Sequence, residues 1–279
     1  MKNITTILLS LGLILTGFSL QAQLMPAPSP SCKTVQMVGM TEVTLDYSRP
    51  SMKDRKIFGD LVPYGELWRT GANASTKIEF STDVSLGGID VPKGTYALYT
   101  TPGKDSWEIM LYKDLSHWGT PGEVKEDQVL GRFKVTPQTT KDSYESMNLY
   151  VDHLRNDMAH LVLAWENTKV AMELKVPTDE IVVANIEKAM AGPSGGEYYQ
   201  AARYYLETGR DLKQAQAWID KAVAQNDKAY WVMTVKAKIH KAMGDKAGAK
   251  ATAQKAMSLA KDAGNMGYVK ENQEIIDSL

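Results

Sequence analysis

A single cysteine, Cys32, is all that this chain of 279 residues carries, so no intramolecular disulfide framework can form. Cys32 also lacks the histidine partner and electropositive surroundings of a reactive thiol. It follows Ser29-Pro30-Ser31 instead of the small apolar run of a lipoprotein signal, which argues against lipidation. Charge of one sign is missing too. Lys and Arg number 32 against 33 Asp and Glu, leaving neither a basic excess for nucleic acid nor an acidic tail for a disordered arm. Beyond residue 23 no apolar run is long enough to cross a bilayer. Phosphate-binding glycine loops, zinc-protease helices and Cys-His fingers are absent. Neither a cofactor nor a metal is therefore expected, and no catalytic residue is assigned.

What is present begins with an address. Lys2 supplies a positive start, Ile7 to Leu20 carry no charge, and Gln21-Ala22-Gln23 closes the segment with a small residue. That order predicts a secretory signal peptide over residues 1–22, cleaved after Ala22. Its apolar core is too short for a stable membrane span. The expected product is periplasmic or secreted, with a short linker over residues 23–32.

The remainder reads as two halves with different periods, the first net acidic and the second net basic. From 33 to 177, runs rich in Val, Ile, Thr, Tyr and Trp alternate with Gly, Pro, Asp and Asn clusters. Examples are Glu42–Tyr47, Tyr96–Tyr99, Trp107–Tyr112, Gly131–Val135, Ser146–Val151, His160–Trp165 and Lys169–Val176. In the last, Val170, Met172, Leu174 and Val176 share one face, the mark of a half-buried antiparallel strand. Nine or ten such runs predict an antiparallel β-sandwich. At Thr178-Asp179-Glu180 the period becomes helical. Residues 178–196 read as a connecting helix and a Gly/Pro/Ser linker, and 197–279 as helix throughout. Within that half, Ala202–Gly209 resembles Ala237–Gly244, while Ala215 and Lys221-Ala222 match Ala249 and Lys255-Ala256. A period of about 34 residues with small residues at helix contacts is the tetratricopeptide pattern. There Tyr205, Trp218 and Trp231 would fill the gaps, and the tail from Asn265 would supply a further layer. The chain as a whole is thus expected to be α+β: an all-β sandwich followed by an all-α stack of helical hairpins.

Several unusual strings occur in a fixed order. They are Tyr47-Ser48-Arg49-Pro50-Ser51-Met52-Lys53, Arg55–Gly59, Leu61–Gly65, Trp68-Arg69-Thr70-Gly71-Ala72-Asn73, Phe80–Val84, Pro92–Tyr96 and Trp118-Gly119. Together they resemble DUF2911, an exported bacterial family of unknown function, over roughly residues 33–177. The resemblance implies a secreted or envelope protein, to which helical repeats are sometimes appended, and implies no activity. This chain departs from the family where an acid often follows Gly71-Ala72-Asn73; here Ala74-Ser75 stand instead.

The densest polar segment runs from Arg49 to Asn73. Guanidinium groups clamp carboxylate, phosphate or sulfate, and Trp stacks on rings. Arg49, Arg55, Trp68, Arg69 and Asn73 are therefore the candidate ligand-binding residues, for an anionic or carbohydrate ligand. The competing reading has the same side chains tying a long loop to the sheet through backbone carbonyls. His153 and His160, with Asp152 and Asp157, form a weak metal candidate beside the plainer reading of surface histidines. Gly192-Pro193-Ser194-Gly195-Gly196 matches G-x-S-x-G in form only, because a helix and not a strand precedes it. The expected function is an exported, non-enzymatic binding or scaffold protein whose helices contact a protein partner. The alternative is an envelope-polymer hydrolase with its site around Arg49–Asn73.

Overall fold

The computed structural model describes residues 25–189 and 193–279. The expected signal peptide and cleavage site lie outside the described residues, as does Gly192. Among the described residues, ten antiparallel strands form two sheets, and six α-helices follow. The strands are β1 (Ser31–Val38), β2 (Thr41–Ser48), β3 (Thr76–Phe80), β4 (Val84–Leu86), β5 (Ile89–Val91), β6 (Gly94–Thr101), β7 (Trp107–Tyr112), β8 (Val129–Val135), β9 (Gln138–Asp152) and β10 (Met158–Lys175). One sheet has the order β1-β2-β3-β6-β7-β8, the other β5-β4-β10-β9. β1 opens at Ser31, ahead of the expected domain start at 33.

Alternation sets which residues enter the core. Val43, Leu45 and Tyr47 of β2, Ile78 and Phe80 of β3, and Leu161, Leu163 and Trp165 of β10 meet in one cluster between the sheets. β6 and β7 are different: Tyr96–Thr100 and Ile109–Tyr112 are buried without a break. Both faces of these two central strands are covered, which is why their sequences read as continuous apolar runs. Leu98 and Ile109 face the other sheet, while Ala97, Tyr99, Met110 and Tyr112 face a second cluster closed by Leu67, Leu115 and Val124. Each large side chain so buried contributes roughly 1.5–3 kcal/mol.

One expectation is corrected. The runs His160–Trp165 and Lys169–Val176 belong to a single strand, β10. The polar interval between them is a bulge, with register shifts at Ala164/Glu166 and Glu166/Thr168 and Glu166 at φ 51°. A bulge inserts an unpaired residue and bends the strand without ending it, so the polar pair Glu166-Asn167 imitates a turn in the sequence.

The helices are α1 (Thr178–Ala189), α2 (Gly195–Glu207), α3 (Leu212–Gln225), α4 (Tyr230–Ala242), α5 (Lys246–Asp262) and α6 (Met266–Asp277). From α2 onward each packs on the next, and α2, α4 and α6 also touch in turn. The matched alanines of the sequence repeat, Ala202 with Ala237, Ala215 with Ala249 and Ala222 with Ala256, are all buried. Small side chains there let the helix axes approach. Asp211 and Asp245 cap α3 and α5 through side-chain carboxylates, each replacing water at otherwise unpaired N–H groups. Tyr205 meets Trp218 edge-on at 4.8 Å. Trp231, expected inside, is 39% exposed at the mouth of a cleft between α2, α4 and α6.

A carboxylate joins the two halves. Asp179, in the first turn of α1, accepts from the Tyr204 hydroxyl at 2.8 Å and from Arg210 Nε at 3.1 Å, and pairs with Arg210 Nη2 as well. The Tyr204 hydroxyl and then Arg210 hold the Asp179 carboxyl below its usual range. Burial, and then Asp179, push the Tyr204 phenol up to about 12. A depressed carboxyl stabilises the fold above the unfolded value of 3.8, and that share is lost as pH falls through the folded value. A raised phenol contributes below 10.0, and its share is lost as pH climbs through about 12. Protease cleavage within residues 178–196 should therefore rise below pH 3.8. Asp179→Asn should show the same cleavage at neutral pH, and Tyr204→Phe should remove one late-titrating tyrosine from the alkaline absorbance curve. Indifference of both variants would remove the clasp from the account.

Candidate functional site

The segment between β2 and β3 is tied by backbone bonds to Pro30, Thr100, Pro102 and Glu145, and side chains add to that hold. Glu145 Oε1 accepts from the Lys53 N–H at 3.0 Å, and Glu166 Oε2 accepts from the N–H groups of Ile57 and Phe58 at 3.3 and 3.4 Å. The five candidate residues act in the complementary direction. Arg49 Nε donates to the Met147 carbonyl at 3.0 Å. Arg55 donates to Ser51 and Met52 at 2.7 and 2.9 Å, closing its own turn. Trp68 Nε1 donates to Gly71 at 3.0 Å, and Arg69 Nη1 to Asn73 at 3.2 Å. Asn73 Nδ2 donates to the Ser29 carbonyl at 3.1 Å and the Ser48 hydroxyl at 3.2 Å.

Each expected ligand-binding residue thus holds a backbone carbonyl, as buried carbonyls of a long connection require. Asn73 ties the end of the segment to Ser48, the neighbour of Arg49. Arg49 and Arg55 sit by β9 and the first turn of the segment, whereas Trp68, Arg69 and Asn73 form a compact knot ahead of β3. Trp68 belongs to the core side: its ring stacks on Trp165 at 5.9 Å and 20°. Thr70 keeps the knot rigid. It is fully buried at φ 56° and donates to Thr100 Oγ1 at 3.1 Å. A β-branched residue at such φ costs on the order of 1–3 kcal/mol and persists only where its surroundings over-determine it.

The knot meets a second loop, residues 113–125, which lies over the outer face of β6 and β7. Three hydroxyls and a backbone group fasten it. Tyr99 donates to the Gly119 carbonyl at 3.2 Å, Ser75 to the His117 carbonyl at 3.3 Å, and the Lys125 N–H to Tyr112 at 3.2 Å. Ser75, which stands near the place of the family's acid, is buried and structural. Arg69 lies so close to the loop that a Cβ on Gly119 would come within 3.1 Å of Nη1.

At the crest of this loop Trp118 is 72% exposed. His117 Nε2 lies 3.3 Å from Asp114 Oδ2, and Ser116 Oγ donates to Asp114 Oδ1 at 2.6 Å. The Ser116 hydroxyl, and then its backbone N–H, hold the Asp114 carboxyl below the usual range, with His117 adding a smaller pull. Serine, histidine and acid are all present, but the serine donates to the acid and not to the histidine. This is not the order that activates a nucleophile. What the surface offers is a bare indole face, a guanidinium and an imidazole held by a carboxylate.

Asp114 and Trp118 were missed as site residues. Trp118-Gly119 stood out as a family string, yet an aromatic residue in a loop reads as core until exposure is known. Elsewhere, His153 and His160 stack at 4.8 Å and 18°. No cluster of three or more metal-ligating side chains occurs among the described residues. Ser194 is the N-cap of α2 in a reciprocal capping box with Glu197, which accounts for that serine without a nucleophilic role. No helix among the described residues is long and apolar enough to cross a membrane.

Neither a curated protein nor a solved structure matches the chain. Residues 29–174, from the serine whose carbonyl Asn73 holds to the end of β10, match the family of proteins of unknown function DUF2911, and the chain belongs to that family.

Proposed function

We propose that the mature chain is an exported, non-enzymatic binding protein of the cell envelope, whose sandwich recognises an anionic carbohydrate on the Trp118 face. The exposure of Trp118 beside Arg69 and the His117–Asp114 pair carries this reading. A large indole left in water on a loop that is otherwise fastened at both ends gains by covering its face with a sugar ring. Arg69 supplies a fixed positive charge for a carboxylate or sulfate substituent. The export half of the reading rests on the signal-like order of residues 1–22. We read α2 to α6 as tetratricopeptide-like on the period of about 34 residues, with a protein as partner. The hydrolase alternative needs an acid from a neighbouring strand, and the two that reach the segment, Glu145 and Glu166, accept from backbone N–H groups.

The test uses polygalacturonate as the anionic probe and dextran as the neutral one, followed by tryptophan fluorescence. Polygalacturonate should shift the emission of Trp118, and Trp118→Ala should weaken binding about 30-fold, the scale of an aromatic hot spot. Gly119→Ala should weaken it less, by displacing Arg69, and should lower the melting temperature slightly because Arg69 Nη1 also holds the Asn73 carbonyl. Equal binding by wild type and Trp118→Ala would end the saccharide reading.

A further inference from the structure

A second concave surface lies elsewhere. Asn73 is tied to Ser48 at the end of β2, whereas Thr41 at its start bonds Thr82 at 2.7 Å, beside Asp83. There, between the β3–β4 and β9–β10 turns and the first turn of α1, runs a groove of about 650 Å³. Its floor is apolar: Val84, Val91 and Val176 are buried beneath it, with Met158, Pro92 and Pro177 alongside. Its rim is acidic: Asp83, Asp90, Asp157, Asp179 and Glu180, against one cation, Lys175. Lys175 is paired with Glu173 at 3.1 Å, and Asp179 is held by Arg210. Asp83 accepts from the Lys93 N–H at 2.8 Å. The side chains of Asp90, Asp157 and Glu180 have no hydrogen bond or ion pair among the described residues.

We infer that this groove docks an extended basic peptide with lysine or arginine alternating with apolar side chains. Two complementary features point to that occupant. Three carboxylates without a partner among the described residues line this groove and give it a negative potential that attracts cations. The floor gains nothing from a bare cation but is matched by apolar side chains, and by lysine and arginine stems that lie on apolar surface while the charged head reaches outward. The acids come from separate elements spread along the groove, Asp90 from β5, Asp157 from the β9–β10 turn and Glu180 from α1. They would engage successive cations of one chain, as a single small cation would not. A volume of this size at the boundary of two structural units is the usual setting of a binding cleft. The inference is independent of the saccharide reading, which concerns the opposite end of β2.

The experiment measures anisotropy of a labelled hexapeptide of alternating lysine and leucine against the full mature chain. A glutamate–leucine hexapeptide and spermine serve as competitors. The surface-charge variant Asp90→Asn/Asp157→Asn/Glu180→Gln, checked for native circular dichroism, is the comparison. The lysine–leucine peptide should bind, weaken steeply with salt, and lose at least tenfold in affinity to the triple variant. Trp118→Ala should bind it as wild type does, so failure here and failure of the saccharide reading are separable. Unchanged affinity in the triple variant, or equal competition by the glutamate peptide, overturns the proposal. Equal competition by spermine overturns the apolar part of the recognition, and a concentration-dependent dimer in sedimentation that blocks the peptide reassigns the groove to a second copy.

Discussion

Trp165→Ala is expected to destabilise the sandwich by about 3–5 kcal/mol, the range for removing a fully buried tryptophan. Trp165 is 1% exposed and sits where the two sheets and the β2–β3 segment meet. Its ring stacks on Trp68 and meets Phe58 edge-on at 6.2 Å, while its Nε1 donates to the Glu145 carbonyl at 3.3 Å. Alanine leaves a cavity lined by aromatic rings that cannot close over it, and the Glu145 carbonyl keeps only its bond from the Met52 N–H. At roughly 3–4 °C per kcal/mol for a domain of this size, the near-ultraviolet dichroism melt should fall by roughly 10–15 °C. The effect should also spread outward. Trp68 loses its stacking partner, so amide exchange should quicken at Thr70 to Asn73. Trp165→Phe keeps the contact with Phe58 and should lose clearly less. A shift of only a few degrees for the alanine variant would mean that Trp68 does not depend on this packing.

Gly39→Ala should cost roughly 3 kcal/mol, for two separable reasons. Gly39 turns the β1–β2 hairpin at φ 54°, a region that costs an L-residue about 1–2 kcal/mol. A Cβ there would overlap the Thr178 hydroxyl and the Asn156 carbonyl, and overpacking of this kind adds about 1–3 kcal/mol. The hairpin tip is seated against the first residue of α1, where the Met40 N–H donates to Thr178 Oγ1 at 3.4 Å. Urea unfolding of Gly39→Ala, Thr178→Ala and the double variant separates the terms. Removing the Thr178 hydroxyl should restore part of the stability lost by Gly39→Ala, while the conformational part and the overlap with the Asn156 carbonyl should remain. Strict additivity of the two substitutions would show that the clash is not felt.

The fold was legible where side-chain periodicity and burial agree. Val170, Met172, Leu174 and Val176 alternate in the sequence and are all buried. The alanines that repeat from α2 to α4 and from α3 to α5 are the buried helix contacts. Legibility failed at Glu166, because a bulge places a polar residue inside a strand and periodicity cannot distinguish it from a turn. It failed again at Trp231, because aromatic character says nothing of which side of a helix pair is open.

The segment from Arg49 to Asn73 shows the same division more sharply. Its unusual density of Arg, Trp and Asn marked it, and the choice between ligand and backbone turned on where each N–H points. Hydrogen bonds to Met147, Ser51, Met52, Gly71, Asn73 and Ser29 engage each of these side chains with the backbone, and only Arg69 also lies against the Trp118 loop. Trp118 was not assigned because its exposure is not written in the sequence, and the acidic groove because its members are far apart in the chain. Asp90, Asp157 and Glu180 become neighbours only when β5, the β9–β10 turn and α1 meet. The sequence alone, with its lone cysteine, balanced charge and change of period at Thr178, determined the two-part architecture and excluded a disulfide framework. Those properties are local or additive along the chain. Tertiary structure alone decided which polar groups remain free, because a donor or carboxylate is free or engaged only according to what folds against it.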